Sequence, residues 1–192
     1  MNTLVFLPKG FILLEFSMFT DVMGWARDDF EHATHVTTCG FNKEVISTFG
    51  VPVIVDMLID EVNIDDYDAL AIPGGFEECG FYQDVYNDKF LDLIREFDLR
   101  GKFIATICVG ALALGKSGVL KGRKATTYHC KGGYRQKQLE AFGAELVNEP
   151  IVVDKNVITS NSPEAGIHAT FKLLEMLTSK EEMEMVKASM GY

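Results

Sequence analysis

Cys108 is the residue of this sequence best placed for nucleophilic chemistry. It directly follows the apolar run Phe103–Ile107, which predicts a short buried strand. The small apolar segment Val109–Leu114 comes next and predicts a short helix, whose N-terminus favours a thiolate. A strand, a tight turn and a helix form a nucleophile elbow, in which the backbone N–H after the nucleophile can face an oxyanion. A buried structural thiol is the alternative for Cys108.

Glu15 is the second candidate because apolar residues surround it on a predicted helix. The segment Phe11–Arg27 predicts this helix, and apolar residues lie three and four positions from Glu15 on both sides. They are Phe11, Ile12, Met18 and Phe19. A carboxyl group on such a face is buried, so it has a raised pKa or a partner. A helix register that leaves Glu15 at the rim is the alternative.

Two further candidates follow predicted strands. His129 comes shortly after the strand predicted at Arg123–Thr127. It is a candidate base for the thiol, because ligands of doubly wound sheets bind beyond the carboxyl ends of strands. Gly74 and Gly75 follow the strand predicted at Ala69–Ile72, and paired glycines let the backbone approach a ligand or an oxyanion closely. A solvent-facing histidine and a plain tight turn are the alternatives.

Strands and helices alternate along almost the whole chain and would position these candidates. Further strands are predicted at Thr3–Leu7, Thr34–Thr38, Val51–Asp56, Glu145–Val153 and Asn156–Ser160. Further helices are predicted at Val85–Leu99, at Gly133–Phe142 and from the N-cap Ser162 to about Leu177, and Lys180–Tyr192 predicts a last helix or a dimer contact. The alternation predicts a single domain over residues 1–192, a three-layer α/β/α sandwich with a largely parallel sheet.

Composition excludes several kinds of partner. The 192 residues carry a net charge of −10, so no basic field is available for nucleic acid or an anionic membrane. The four cysteines lack CxxC spacing and zinc-spaced histidines, so we expect no disulfide framework, no metal and no cofactor. We expect a cytoplasmic protein for three reasons. The thiols are free, the first residues are unlike a signal peptide, and no apolar run is long enough to span a membrane.

Short segments in a fixed order resemble the ThiJ/PfpI family of the class I glutamine amidotransferase-like superfamily. They are Lys9-Gly10, Glu15, Asp21–Met23, Ile72–Gly75, Ile107–Gly110, Ala125–Thr127 and Ile158–Ser160. The resemblance covers about residues 4 to 177 and implies a flavodoxin-like sandwich that forms a homodimer. It matches Cys108 to the elbow cysteine of the family, and Glu15 to the acid that donates a hydrogen bond to this cysteine in the deglycase-like branch. It also matches Gly75 and the N–H of Val109 to the oxyanion-binding position.

The sequence departs from the family pattern at two positions. The deglycase-like branch has a histidine directly after the Thr-Thr pair, where Tyr128 stands here and His129 follows. One position along a strand turns a side chain to the other face, so His129 reaches the cysteine only if the chain leaves the strand there. Peptidase-like members have a histidine where Val109 stands, and proteolysis is therefore not expected.

Several functions remain open at this stage. The first is a glyoxalase- or deglycase-like enzyme that uses Cys108 as a thiolate against small electrophiles such as α-oxoaldehydes. The second is an oxidative-stress sensor or chaperone without turnover, in which peroxide oxidises Cys108. Isonitrile hydration ranks lower, because Glu15 and Val109 replace the aspartate and threonine of that branch. A domain that keeps the fold without catalysis is the last alternative.

Overall fold

A seven-stranded sheet forms the centre of the computed structural model, which describes residues 1–30 and 34–192. In chain order the strands are β1 Asn2–Phe6, β2 His35–Gly40, β3 Glu44–Ile46, β4 Pro52–Ile54, β5 Met57–Leu58, β6 Ala69–Ile72, β7 Phe103–Thr106, β8 Lys124–Ala125, β9 Glu145–Leu146, β10 Ile151–Asp154 and β11 Val157–Ser160. The central sheet has the order β10-β11-β7-β6-β1-β2-β5. Its neighbouring strands are parallel except β10 and β11, which are antiparallel.

Helices cover both faces of this sheet. They are α1 Leu13–Phe30, α2 Phe81–Val85, α3 Asp88–Leu99, α4 Ala111–Ser117, α5 Tyr134–Ala141, α6 Pro163–Leu177 and α7 Lys180–Ser189. Helix α1 packs with α6 and α7, whereas α3 packs on β6, β7 and α4. The connections β1–α1–β2 and β6–α3–β7 run in opposite directions across the sheet, so right-handed crossovers place α1 and α3 on opposite faces. The predicted three-layer sandwich with a largely parallel sheet is confirmed.

Burial explains why the central strands are continuous apolar runs. Leu4, Val5 and Phe6 of β1 and Ala69–Ile72 of β6 are fully buried, as expected for parallel strands that helices cover on both faces. The buried side chains of α3 recur with helical spacing: Phe90, Leu91, Leu93, Ile94 and Phe97. The start of α6 forms as predicted, with the Ser162 side chain accepting a hydrogen bond from the N–H of Ala165.

Three predicted strands differ from the structure. The segment Val51–Asp56 contributes only β4, which pairs with β3 in a separate antiparallel hairpin. The segment Glu145–Val153 divides into β9 and the start of β10. The segment Arg123–Thr127 contributes only β8, which pairs with β9 outside the central sheet. The N–H of Thr126 donates to the side-chain oxygen of Thr159 at 2.9 Å, and this bond takes the place of a strand ladder.

The charged C-terminal segment forms helix α7, which packs against α6 and α1. Its N-cap Ser179 accepts a hydrogen bond from the N–H of Glu182. Across residues 1–30 and 34–192, no helix has the length and apolar character needed to cross a membrane.

Candidate active site

The candidate site lies at the carboxyl ends of the central strands. The strand order reverses between β1 and β6, and ligands of such sheets bind outside the carboxyl ends near this reversal. Gly75 follows β6, Cys108 follows β7 and Pro163 follows β11. These residues line one pocket of about 480 Å³. Its other lining residues are Ile12, Phe76, Glu77, Glu78, Val109, Tyr128, Cys130, Lys131, Tyr134 and Arg135.

The backbone at Cys108 has the geometry of a nucleophile elbow, as predicted. Its φ of +55° lies in the left-handed region, which costs an L-residue about 1–2 kcal/mol. Two neighbours hold this turn. The hydroxyl of Thr127 donates to the Cys108 carbonyl oxygen at 2.8 Å, and a Cβ at Gly110 would lie only 2.7 Å from the carbonyl oxygen of Ile72. The packing therefore fixes the strained residue at the base of the pocket.

Glu15 is fully buried in α1, which confirms the predicted burial. Its Oε2 accepts a hydrogen bond from the N–H of Gly74 at 2.6 Å. Its Oε1 is also buried and has no hydrogen-bond partner in the described part of the chain. A Cβ at Gly74 would lie 2.8 Å from Oε2 and 3.1 Å from the Cβ of Cys108. Only a glycine therefore leaves room for the acid and the thiol to meet.

The pKa values of Glu15 and Cys108 depend on each other. Burial raises the pKa of Glu15 to about 7, although the hydrogen bonds with Gly74 and Cys108 oppose this rise. Burial also raises the pKa of Cys108, the Glu15 carboxylate raises it further, and the N–H of Val109 lowers it. Since two buried neighbouring groups resist carrying two negative charges, the pair ionises stepwise. Burial thus outweighs the effect of the helix N-terminus from which we expected a thiolate.

Two backbone N–H groups beside Cys108 are candidates for binding an oxyanion, as the resemblance implied. The N–H of Val109 hydrogen-bonds to the Cys108 thiol. The N–H of Gly75 donates no hydrogen bond to another described residue, and both residues line the pocket beside Cys108. A Cβ at Gly75 would lie 2.1 Å from Cδ2 of Phe81 and 2.5 Å from the Gly10 carbonyl oxygen. Backbone donors in a partly dry pocket stabilise negative charge that develops during a reaction.

The structure leaves His129 outside the lining of this pocket. Its side chain is exposed, and its Nε2 lies 3.7 Å from the Sγ of Cys130. The chain leaves strand β8 after Ala125, so strict alternation of side chains does not apply at the following residues. Tyr128 lines the pocket instead, and burial raises the pKa of its phenol. The structure therefore groups Cys108 with the other three predicted residues and places His129 apart from them.

Charged and aromatic residues at the pocket rim were missed by the sequence analysis. Arg135 pairs with Glu77 at 2.7 Å, and its guanidinium lies 4.7 Å from the centre of the Tyr82 ring. The ammonium group of Lys131 lies 5.9 Å from the centre of the Phe76 ring. The sequence did contain an indication of them, because Lys131 and Arg135 are two basic residues that follow the strand predicted at Arg123–Thr127 in an acidic chain. These contacts place aromatic rings and charges of both signs at one side of the pocket.

The four cysteines are free thiols in different surroundings. Cys39 is buried in the core, and burial raises its pKa. Cys79 is half-buried, with its Sγ 3.6 Å from the carbonyl oxygen of Thr48. Cys130 is exposed and lines the same pocket as Cys108. Within the described ranges, no three His, Cys, Asp or Glu side chains are gathered in a way that could hold a metal ion.

Comparison with known proteins identifies relatives over most of the chain. Residues 1–176 match the sequence model of the DJ-1/PfpI family. Deglycase PfpI from Pyrococcus furiosus is 39% identical over 134 residues, which cover 69% of this chain and 76% of that protein. Protein dj-1beta from Drosophila melanogaster is 28% identical over 187 residues, covering 96% of this chain and 94% of that protein.

The fold is shared with a solved structure of the same Drosophila melanogaster protein. The crystal structure of DJ-1beta superposes on this chain with a TM-score of 0.86 at 28% sequence identity. The superposition covers 98% of this chain and 96% of that one. The similarity therefore extends over nearly the whole chain.

Proposed function

Because the chain belongs to the DJ-1/PfpI family, we propose that it is a deglycase-like enzyme whose Cys108 attacks small electrophiles such as α-oxoaldehydes. The observation that carries this proposal is the buried acid beside the elbow thiol, with Glu15 and Cys108 meeting across Gly74. The name of the Pyrococcus furiosus relative supports the class of reaction. The size of the pocket, about 480 Å³, suits a small ligand.

In the first step, the Sγ of Cys108 bonds to the aldehyde carbon and a thiohemiacetal forms. Glu15 takes the thiol proton, for which its raised pKa of about 7 suits it as a base near neutral pH. The negative charge moves to the aldehyde oxygen. The N–H groups of Gly75 and Val109 donate to this oxygen and lower the barrier.

The remaining steps return the enzyme to its starting state. Glu15 first returns the thiol proton to the aldehyde oxygen and then takes the proton of the former aldehyde carbon, which gives an enediol as the second carbonyl oxygen gains the hydroxyl proton of the first carbon or one from water. Glu15 delivers its proton to the second carbon, so that the first carbon becomes a thioester and the second an alcohol. Water then hydrolyses the thioester and releases the Cys108 thiol. The net reaction adds one water to an α-oxoaldehyde and gives a 2-hydroxy acid, without an external oxidant.

Turnover of methylglyoxal and release of its adducts from a model amine or thiol test this function. We expect wild-type protein to convert the aldehyde, and Cys108→Ala to lose the activity by at least about 10³-fold. Cys79→Ala is the matched control, because Cys79 lies outside the pocket lining and its replacement should leave turnover unchanged. The proposal fails if wild-type protein converts neither the aldehyde nor its adducts.

We also propose that the protein forms a homodimer and is located in the cytoplasm. The hairpin of β3 and β4 exposes several apolar side chains, and the Phe49 ring lies 5.9 Å from the ring of Phe76 at the pocket rim. The exposed side chains are Ile46, Phe49, Val51 and Ile54. A second copy of the chain packed on this hairpin would cover them. Free thiols support a reducing compartment.

A further inference from the structure

The thiols of Cys108 and Cys130 face the same pocket. We propose that Cys130 is the resolving thiol of Cys108. A hydroperoxide oxidises Cys108 to a sulfenic acid, and Cys130 then attacks this sulfur to close an intrachain disulfide. This inference rests on Cys108 being the nucleophile of the proposed function, and it adds a reversible switch to that site.

The position of Cys130 distinguishes it from the other thiols. It is exposed at the pocket rim, and a negative charge at this position raises the pKa of the Cys108 thiol. Cys39 is buried in the core, and Cys79 is absent from the pocket lining. Among the described residues, Cys130 is therefore the thiol that can reach an oxidised Cys108.

The backbone after Cys130 can adjust its position. Lys131, Gly132 and Gly133 all have positive φ, at +55°, +73° and +69°. A Cβ at Gly132 would meet no heavy atom within 4 Å, so the middle of this turn is not packed against the body of the protein. Glycines adopt either sign of φ at low cost. The turn can therefore carry Cys130 inward until the two sulfurs meet at about 2 Å.

His129 supplies the base that this step needs. Its Nε2 lies 3.7 Å from the Sγ of Cys130. A neutral imidazole with an unprotonated Nε2 accepts the thiol proton, and the thiolate is the attacking species in disulfide formation. His129 therefore serves as a base for Cys130, although the sequence suggested it as a base for Cys108.

The chemistry balances in two steps. In the first, Glu15 takes the proton of the Cys108 thiol, the thiolate attacks the peroxide, the O–O bond breaks and the sulfur gains one hydroxyl group. The departing hydroxide or alkoxide takes the proton from Glu15 and leaves as water or an alcohol. In the second, the Cys130 thiolate attacks the Cys108 sulfur, the S–O bond breaks and the S–S bond forms. The departing hydroxide takes the proton held by His129 and leaves as water. Two molecules of a small thiol then reduce the disulfide by exchange.

Peptide mapping after mild peroxide treatment tests the inference directly. Trypsin releases Cys108 within residues 103–116 and Cys130 within residues 125–131. We expect wild-type protein to give these two peptides joined by a disulfide, and Cys79→Ser to give the same product. Cys130→Ser should lack the joined peptides and accumulate Cys108 sulfinic acid instead. The inference is overturned if wild type and Cys130→Ser form sulfinic acid equally fast and no joined peptides appear.

A second variant tests the part assigned to His129. His129→Gln should slow disulfide closure about ten-fold near pH 7 and have little effect near pH 9, where hydroxide in the solvent can take the thiol proton instead. If the rate of disulfide closure falls equally at both pH values, His129 has a structural role, and its assignment as the base for Cys130 is contradicted.

Aldehyde turnover, measured on the same samples, separates the two proposals. We expect peroxide to abolish turnover by wild-type protein and dithiothreitol to restore it. If the reduced protein turns over aldehyde but forms no disulfide after peroxide treatment, the resolving role is refuted and the proposed function stands. A disulfide in a protein that never turns over aldehyde would support the resolving role and refute the proposed function.

Discussion

Glu15 on the first helix accepts a hydrogen bond of 2.6 Å from the backbone N–H of Gly74, which follows strand β6. This bond joins two parts of the fold that are 59 positions apart in sequence. It holds the buried carboxyl group against the thiol of Cys108, and the pKa of each group then depends on the charge of the other. The first predictions concern this arrangement.

Replacement of Gly74 should separate the acid from the thiol. In Gly74→Ala the new Cβ would lie 2.8 Å from Glu15 Oε2 and 3.1 Å from the Cys108 Cβ, so the carboxyl group must move. We expect aldehyde turnover to fall at least about ten-fold and stability to fall by about 1–3 kcal/mol. Gly24→Ala is the control, because its Cβ meets nothing within 4 Å in helix α1. Equal turnover in both variants would contradict the arrangement.

The raised pKa of Glu15 predicts how stability depends on pH. Burial raises this pKa from 4.5 to about 7, so the folded state keeps the proton after the unfolded state has lost it. The stabilisation is complete below about pH 4.5 and is lost as pH rises through 7, a change of about 3 kcal/mol. Urea denaturation at pH 5 and pH 8 should show this loss in wild type but not in Glu15→Gln. If the free energy of unfolding changes equally between pH 5 and pH 8 in the two proteins, the raised pKa of Glu15 is refuted.

Thr127 should stabilise the strained elbow. Its hydroxyl donates to the Cys108 carbonyl oxygen at 2.8 Å, and both residues are buried. Thr127→Val keeps the shape but leaves this oxygen without its donor, at a cost of about 1–3 kcal/mol. Thermal denaturation measures this loss of stability. Thr127→Ser should lose much less stability, because it keeps the hydroxyl group. A stable Thr127→Val protein with full turnover would show that the elbow does not need this bond.

The exposed hairpin should determine the oligomeric state. Phe49 is 79% exposed on the hairpin, and Leu99 is equally exposed at the end of α3. Light scattering should give twice the chain mass of 21.4 kDa for wild type and for Leu99→Ser. Phe49→Ser combined with Ile54→Ser should give a monomer, because the double change removes apolar contact area. A wild-type monomer, or a dimer that both changes leave intact, would contradict the proposed interface.

Local sequence patterns predicted the elements that carry the site. The apolar runs of β1, β6 and β7 and the elbow at Cys108 follow from short-range rules, because each is buried on both faces or sits in a tight turn. The burial of Glu15 followed from helical spacing alone. The order of the strands and the hairpin of β3 with β4 involve distant pairings, which a local pattern does not encode.

The electrostatics of the pocket were less accessible to sequence analysis. The helix N-terminus suggested a lowered pKa for Cys108, but the burial that raises it comes from the packed fold. The separation of His129 from Cys108 depends on where strand β8 ends, and Thr126 decides this through a bond to the Thr159 side chain. Such side-chain bonds between distant residues have no sequence signature.

The pH dependence of Cys108 alkylation tests the central claim most directly. Mass spectrometry would follow iodoacetamide labelling of Cys108 in wild type and in Glu15→Gln between pH 5 and pH 10. Because burial and the Glu15 carboxylate both raise the pKa of the Cys108 thiol, wild-type labelling should inflect above the ordinary thiol value of about 8.5. In Glu15→Gln the inflection should move to lower pH, because the negative charge beside the thiol is gone. The same profile in both proteins would contradict the account.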